Sequence, residues 1–120
     1  MHIPLKELFL YRQYTDGPVF YYFDRKKYTI ISLESIESSQ DLPYERYIPI
    51  FQVDEKALQN SYIQRFMGKS AWHKYQNASL CFEEFLQRNG AWNSWWDYYK
   101  ESVCDIARQW CKKHGVSFVE

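Results

Sequence analysis

The clearest hydrophobic pattern lies in the last quarter of the chain, where apolar side chains recur at helical spacing. Intervals of four, three, four, three and four residues separate Trp92, Trp96, Tyr99, Val103, Ile106 and Trp110. This repeat predicts one apolar stripe along a helix that runs from Trp92 to His114. Cations fill its last turn, and Gly115 supplies a left-handed stop. The apolar run over 116–119 predicts a short strand that joins the sheet of the N-terminal half.

β-prone runs, turn residues and a short helical pattern together predict a mixture of strands and helix for residues 1–53. Pro4 suits the first turn of a short helix, which the sequence Asp16-Gly17-Pro18 breaks. The β-prone runs 19–23 and 28–33 predict a hairpin, and residues 47–53 predict an edge strand or extended connector because they contain Pro49. Residues 32–38 predict a single helical turn, and residues 38–43 a polar surface loop.

Capping signals predict helices over residues 54–115. Asp54 is a favourable N-cap, and Gly68 ends the helix that it begins. A second helix is predicted from Ser70 to the Asn89-Gly90 stop, and the long helix follows. The fold class is therefore α+β: a small antiparallel β-hairpin sheet packed against three C-terminal α-helices. We expect one domain over residues 1–120, with a mixed half 1–53, a helical half 54–115 and a terminal strand 116–119.

Composition narrows the class of partner. Fifteen basic residues balance fifteen acidic ones, so the chain lacks the global field that drives nonspecific binding to nucleic acid or membranes. It contains no run of about 20 apolar residues and no signal-peptide pattern, and its three cysteines are a poor disulfide framework. We therefore expect a cytoplasmic protein that has no membrane association.

Aromatic residues make up 20% of the chain, more than a small core can hide, so several rings must lie partly exposed. Exposed rings favour a protein partner, and half-buried tyrosines at the core rim are the alternative. The predicted protein-binding residues are Trp72, Trp92, Trp95 and Tyr98. RNA is the alternative partner, because two basic patches interleave with aromatic residues around Lys69–Lys74 and Arg108–His114. The predicted nucleic-acid-binding residues are Arg65, Lys69, His73, Lys74, Arg108 and Lys112.

Catalytic and metal-binding signatures are weak. Cys111 and His114 share a helix face with Cys104 nearby, and His73 is a candidate for a further ligand from a distant segment. A buried thiol beside a helix-terminal histidine explains the same pattern, and no known nucleophile motif surrounds any Cys or Ser. We therefore expect no enzyme activity, no cofactor and no metal. An enzyme centred on Cys111 and His114 is a distant alternative.

Four segments, which together cover most of the chain, resemble uncharacterised protein family 0158, a bacterial group. VFYYFDRKKYTIISL is similar to the family's N-terminal hairpin, and YIPIFQVDEKAL is similar to its extended-then-helix segment. The sequence WWDYYKES followed by DIARQWCKKHGVSFVE is similar to the family's C-terminal helix, with Tyr99 in place of the usual basic residue. The matching positions are Trp95, Tyr98, Ile106, Ala107, Trp110 and Cys111. The sequence YIQRFMGKSAWHKYQ resembles a basic segment of the family through Phe66, Ala71, Trp72, Lys74 and Tyr75. Ser70 and His73 depart from its expected Gly and Arg. The resemblance implies no established activity, and its basic segment hints at an anionic ligand such as RNA.

Overall fold

The computed structural model describes residues 1–35, 43 and 45–120, and the chain divides into two compact units. The first unit comprises Met1–Val53 with Val103–Glu120, and the second comprises Asp54–Ser102. The break after Val53 coincides with the predicted change from the mixed to the helical half, whereas residues 103–115 belong to the first unit. The predicted loop over 38–43 lies outside the described residues, apart from Pro43. Of the turn predicted over 32–38, the described part forms a 3₁₀ turn at Leu33–Ser35.

The first unit contains short strands, one short helix and the C-terminal end of the long helix. Its elements are β1 (Ile3–Pro4), α1 (Leu5–Leu10), β2 (Gln13–Tyr14), β3 (Tyr21–Asp24), β4 (Thr29–Ser32), β5 (Tyr47–Pro49), β6 (Gln52–Val53) and β7 (Phe118–Val119). The predicted hairpin is confirmed, because β3 and β4 pair antiparallel with Phe23 opposite Ile30. The strand β5 adds to the other side of β3, so Pro49 lies on an edge strand, where its missing N–H disrupts no inner ladder.

The hairpin loop 25–28 is held by the residue that begins it. Asp24 is buried, and its Oδ1 accepts hydrogen bonds from the N–H groups of Lys26 at 2.9 Å and Lys27 at 3.3 Å. Arg46 adds two bonds of 3.1 Å to the same carboxylate. Tyr28 closes the loop with φ 57°, a left-handed conformation that bulky residues rarely adopt. These contacts replace the Asn-Gly turn that hairpins commonly use.

Two parallel strand pairs complete the first unit. The pair β2–β6 joins Gln13 to Gln52, and β1–β7 joins Ile3 to Phe118. The prediction that the terminal strand extends the hairpin sheet is therefore wrong, since β7 pairs with the first strand of the chain. Local pattern does not specify this partner, because any exposed strand edge satisfies the same backbone groups.

The second unit is helical, and the described elements are α2 (Glu55–Tyr62), a π-helical turn (Ile63–Met67), α3 (Lys69–Asn77), α4 (Phe82–Arg88) and the start of α5 (Trp92–His114). The predicted cap is confirmed, because Asp54 Oδ1 accepts the N–H of Ala57 at 3.1 Å. The helix predicted from Ser70 to residue 88 is in fact two helices. The chain turns extended at Ala78, with ψ 148°, next to Asn77 and Ser79, whose side chains compete with helical hydrogen bonds.

The bounds of α5 match the predicted Trp92–His114 helix, and the α+β class is confirmed. Its end forms a Schellman motif: Gly115 has φ 67°, and the N–H of Val116 donates to the carbonyl of Cys111 at 2.8 Å. Within the described residues, no helix is both long enough and apolar enough to cross a bilayer.

The buried face of α5 is not the predicted stripe at its start. Trp92 is 37% exposed and Trp96 is 39% exposed, whereas Trp95 and Tyr99 are buried. Further along, the buried residues are Val103, Ala107, Trp110 and Cys111. Aromatic residues occur on neighbouring faces of the first turns of α5. The spacing of apolar residues therefore could not predict which of these faces is buried.

Candidate functional site

A shallow apolar cleft lies on the first unit, between β2 and the segment that leads into β3. Its volume is about 240 Å³, and it is lined by Arg12, Gln13, Tyr14, Pro18, Phe20 and Tyr21. Phe20 is 51% exposed and Tyr14 is 38% exposed, so two of its rings face solvent. Small-molecule pockets usually enclose about 300–1,000 Å³. This cleft has room for one or two side chains.

Gln13 fixes the walls of the cleft. Its Oε1 accepts hydrogen bonds from the N–H groups of Phe20 at 2.7 Å and Tyr21 at 3.0 Å. Its Nε2 donates to the carbonyl of Ile50 at 2.9 Å and, more weakly, to that of Tyr21 at 3.4 Å. The side chain is 6% exposed and uses both ends of its amide. One buried residue therefore joins β2, the start of β3 and the segment before β6.

The backbone around the cleft is already hydrogen-bonded. The carbonyl of Tyr14 accepts the N–H of Gly17 at 3.0 Å, and that of Tyr21 accepts the N–H of Ile50 at 3.1 Å. The N–H groups of Phe20 and Tyr21 bind Gln13. A strand added here would find these groups occupied, so the cleft offers ring surfaces to a ligand.

A neighbouring aromatic side chain extends the apolar surface of the cleft. The Tyr11 ring meets the Tyr21 ring edge-on with centroids 5.0 Å apart. The Tyr11 side chain is 36% exposed, so its ring adds to the apolar surface beside the cleft. Contiguous exposed apolar surface with a concave centre is typical of an interaction site.

The predicted protein-binding residues all belong to the second unit, and the structure separates them by exposure. Trp92 is exposed, while Trp72 and Tyr98 are half-buried. Trp95 is 4% exposed, so the prediction that it lies on the surface is wrong. It is enclosed by other rings, with its centroid 4.8 Å from that of Phe82 and 5.5 Å from that of Tyr62. Trp95 is therefore a core residue.

A chain of ring contacts in the second unit leads from this core to exposed rings. Centroid distances are 5.3 Å for Phe66–Tyr98, 6.0 Å for Tyr98–Trp95, 5.4 Å for Trp95–Tyr99 and 5.7 Å for Tyr99–Trp96. Phe66, at one end, is 59% exposed, and Trp96, at the other, is 39% exposed. The sequence prediction omitted both rings from the binding set.

The predicted nucleic-acid-binding residues fall into two groups on different units. Arg65, Lys69, His73 and Lys74 are exposed around the π-helical turn and α3. Arg108 and Lys112 lie on the part of α5 that belongs to the first unit. Arg108 is engaged by carboxylates: it contacts Asp105 at 2.6 Å and forms a two-pronged pair with Glu120 at 2.7 and 3.1 Å. The structure therefore does not support Arg108 as a nucleic-acid-binding residue, because binding to phosphate would require these ion pairs to break.

Cys111 and His114 do not form an activated thiol pair. Cys111 is fully buried, and burial raises the pKa of its thiol to about 11. The thiol is therefore protonated near neutral pH and is a poor nucleophile. Burial also lowers the pKa of His114, and the nearby charges of Lys113 and Arg25 lower it further. Over residues 1–35, 43 and 45–120, no three His, Cys, Asp or Glu side chains cluster as metal ligands would.

The cleft residues were missed because nothing local marks them. The break at Asp16-Gly17-Pro18 indicated a turn, but the aromatic residues that follow it were interpreted as part of a strand. A glutamine in a short strand gave no signal of its three partner residues, which lie 7, 8 and 37 residues away. An aromatic run that flanks a Gly-Pro turn was the only usable hint.

Comparison with known proteins identifies no significant relative of this chain. No protein-family model matches the chain, and neither the curated proteins nor the solved structures include a significant match. The resemblance to uncharacterised protein family 0158 stays a prediction, and the function has to be argued from the site itself.

Proposed function

We propose that this protein is a non-enzymatic interaction protein that binds a segment of a partner protein in the apolar cleft of the first unit. The observation that carries the proposal is a ring-lined cleft whose walls are locked by one buried glutamine. Tyr14, Phe20 and Tyr21 present ring surface at fixed positions. Rigid aromatic side chains lose little entropy on binding and commonly dominate interface energy.

The proposed ligand is an extended, proline-containing apolar segment. Recognition by strand addition needs unpaired backbone groups. The carbonyls of Tyr14 and Tyr21 and the N–H groups of Phe20 and Tyr21 are already hydrogen-bonded. Proline-rich segments bind differently, because their preformed extended helix lays its rings on aromatic-lined grooves. The volume of about 240 Å³ suits one or two such side chains.

The test is a selection from a random-peptide library displayed on phage against the whole protein, followed by affinity measurement of the enriched peptides. We expect enriched peptides to share apolar residues that include proline. Phe20→Ser should weaken their binding at least about tenfold, because it removes a half-exposed ring from the cleft. Phe66→Ser is the matched control, since it removes a ring of similar exposure, 59% against 51% for Phe20, from the second unit.

Three results would overturn this proposal. They are an absence of enrichment, enrichment of peptides without apolar residues, and equal binding by Phe20→Ser and the unchanged protein. Loss of binding on Trp92→Ala or Trp96→Ala alone would move the interaction surface to the exposed side of α5.

RNA binding is a second candidate, favoured by the charge of one segment. Residues 56–82 contain four Lys and Arg residues and no Asp or Glu. Arg65, Lys69 and Lys74 are exposed there, next to the exposed ring of Phe66. Such a segment would neutralise phosphates and stack a base. Fluorescence anisotropy with a single-stranded oligoribonucleotide should show affinity that falls steeply with salt and drops in Lys69→Gln. Salt-independent or undetectable binding would remove this candidate.

A further inference from the structure

The β3–β4 hairpin loop lies against the end of α5 within the first unit. The hydroxyl of Tyr28, the last loop residue, accepts a hydrogen bond from the N–H of Ser117. The Phe23 ring, just before the loop, meets the Trp110 ring edge-on at 6.0 Å. The Trp110 ring is in turn 5.3 Å from the His114 ring. These contacts connect the loop to the last turn of α5 and the residues that follow it.

Cations from two distant parts of the sequence lie on the two segments that meet at this junction. The loop supplies Arg25, Lys26 and Lys27, and the last turn of α5 supplies Lys112, Lys113 and His114. The four lysines are exposed, and Arg25 is half-buried. We define these six residues as the junction patch.

The lysines of the junction patch and Arg25 lack close carboxylate partners in the part of the chain that the structure describes. In the described part of the chain, none of its four lysines, nor Arg25, forms an ion pair. The adjacent carboxylate of Asp24 is buried and is occupied by Arg46 and two backbone N–H groups. The carbonyls at the end of α5 offset part of the charge on its own last turn. They do less for Arg25, Lys26 and Lys27, which come from the loop.

Among the described residues, one donor of Arg25 has no acceptor. Its Nε atom is buried and has no hydrogen-bond acceptor among the residues that the structure describes. Buried donors in folded proteins are nearly always paired, so an orphan donor needs an explanation. Because the Nε atom is enclosed, an anion would reach it only if the covering atoms move, and it would then provide the acceptor and a negative charge together.

The electrostatics of His114 agree with this geometry. Burial lowers the pKa of His114, and then Lys113 and Arg25 lower it further by charge repulsion. Arg25 is therefore close enough to the imidazole for its charge to matter. An anion held between them would favour the imidazolium and raise the pKa of His114.

We propose that the junction patch binds a phosphate group, with Arg25 as the principal donor and Lys113 as a supporting cation. A planar guanidinium matches phosphate oxygens well, and lysines at the rim add attraction. Two sources carry this chemistry, a free phosphate or phosphomonoester and the backbone of a single-stranded RNA, and the two arms of the test distinguish them. This proposal is independent of the apolar cleft, which uses none of these residues.

The test follows the Arg25 Nε–H resonance by NMR while inorganic phosphate is added at pH 7 and constant ionic strength. We expect a saturable shift of this resonance that chloride does not produce. A single-stranded oligoribonucleotide forms the second arm. Binding of phosphate alone would indicate a free phosphate or monoester as the source. Binding of the oligonucleotide at least about tenfold more tightly would indicate a phosphodiester backbone.

Substitutions complete the test. Lys113→Gln removes an exposed side chain and should weaken binding severalfold without changing the urea midpoint. Arg25→Gln should abolish the phosphate response and raise the pKa of His114 in phosphate-free buffer. Arg88→Gln, an exposed arginine of the second unit, is the matched control and should change neither. The proposal is overturned if the Arg25 resonance responds equally to chloride, or if Lys113→Gln and Arg25→Gln bind phosphate like the unchanged protein.

Discussion

Replacing Gln13 with alanine removes the buried amide that joins the two walls of the cleft. The carbonyl of Ile50, in a residue 1% exposed, loses a donor at 2.9 Å. The N–H groups of Phe20 and Tyr21 lose their acceptor, although water can partly replace it because both residues are less buried. The carbonyl of Tyr21 keeps its bond from the Ile50 N–H. Leaving buried groups unpaired costs about 1–3 kcal/mol each, so we expect a total loss of about 3 kcal/mol of unfolding free energy.

The assay is equilibrium unfolding in urea, monitored by tryptophan fluorescence and by circular dichroism. The matched control is Gln52→Ala, on the partner strand of β2. Gln52 is exposed, and both of its side-chain bonds are 3.4 Å long. We therefore expect this control to lose no more than about 0.5 kcal/mol, as exposed polar substitutions usually do.

A loss below about 1 kcal/mol for Gln13→Ala, or a loss equal to that of the control, would refute the reasoning. It would mean that water replaces the amide without penalty and that Gln13 does not hold the cleft. If the loss is as large as expected, peptides selected by the cleft should also bind more weakly to Gln13→Ala under conditions where it remains folded.

Three further predictions concern groups whose surroundings the structure defines. Burial acts to raise the pKa of Asp24, but hydrogen bonds from Arg46 and from two backbone N–H groups lower it below 3.8. The carboxylate therefore stabilises the fold above that pH and loses its effect as the pH falls through the lower, folded-state pKa. Asp24→Asn should then reduce stability at neutral pH and flatten the acid side of a stability–pH profile measured by urea unfolding. Iodoacetamide should modify exposed Cys81 well before buried Cys111 in mass-spectrometric peptide mapping, and equal native rates would contradict the burial of Cys111. Asp54→Ala should lower the unfolding free energy by about 1 kcal/mol through loss of the α2 cap, and an unchanged urea midpoint would contradict that role.

The candidate site was much less predictable than the elements that form it. The sequence correctly indicated exposed rings, yet it selected Trp95, which is buried, and passed over Phe20 and Phe66. A ring has no local signature of exposure, because the same side chain suits a core or a surface. Its burial depends on which other elements cover it.

The sequence by itself determined features that depend on a few consecutive residues. The Asp54 cap, the stop at Gly115, the β3–β4 hairpin and the extent of α5 all follow from hydrogen bonds or backbone angles within one or two turns. These short-range preferences are present in any fold that the chain adopts.

The tertiary structure alone decided which distant segments meet. It paired β1 with β7, gave the Gln13 amide its partners across the cleft, and brought Arg25 to the end of α5. Strand edges, buried amides and surface cations can each be satisfied by many partners. The choice among them depends on how the whole unit packs, because only packing makes one set of contacts mutually compatible.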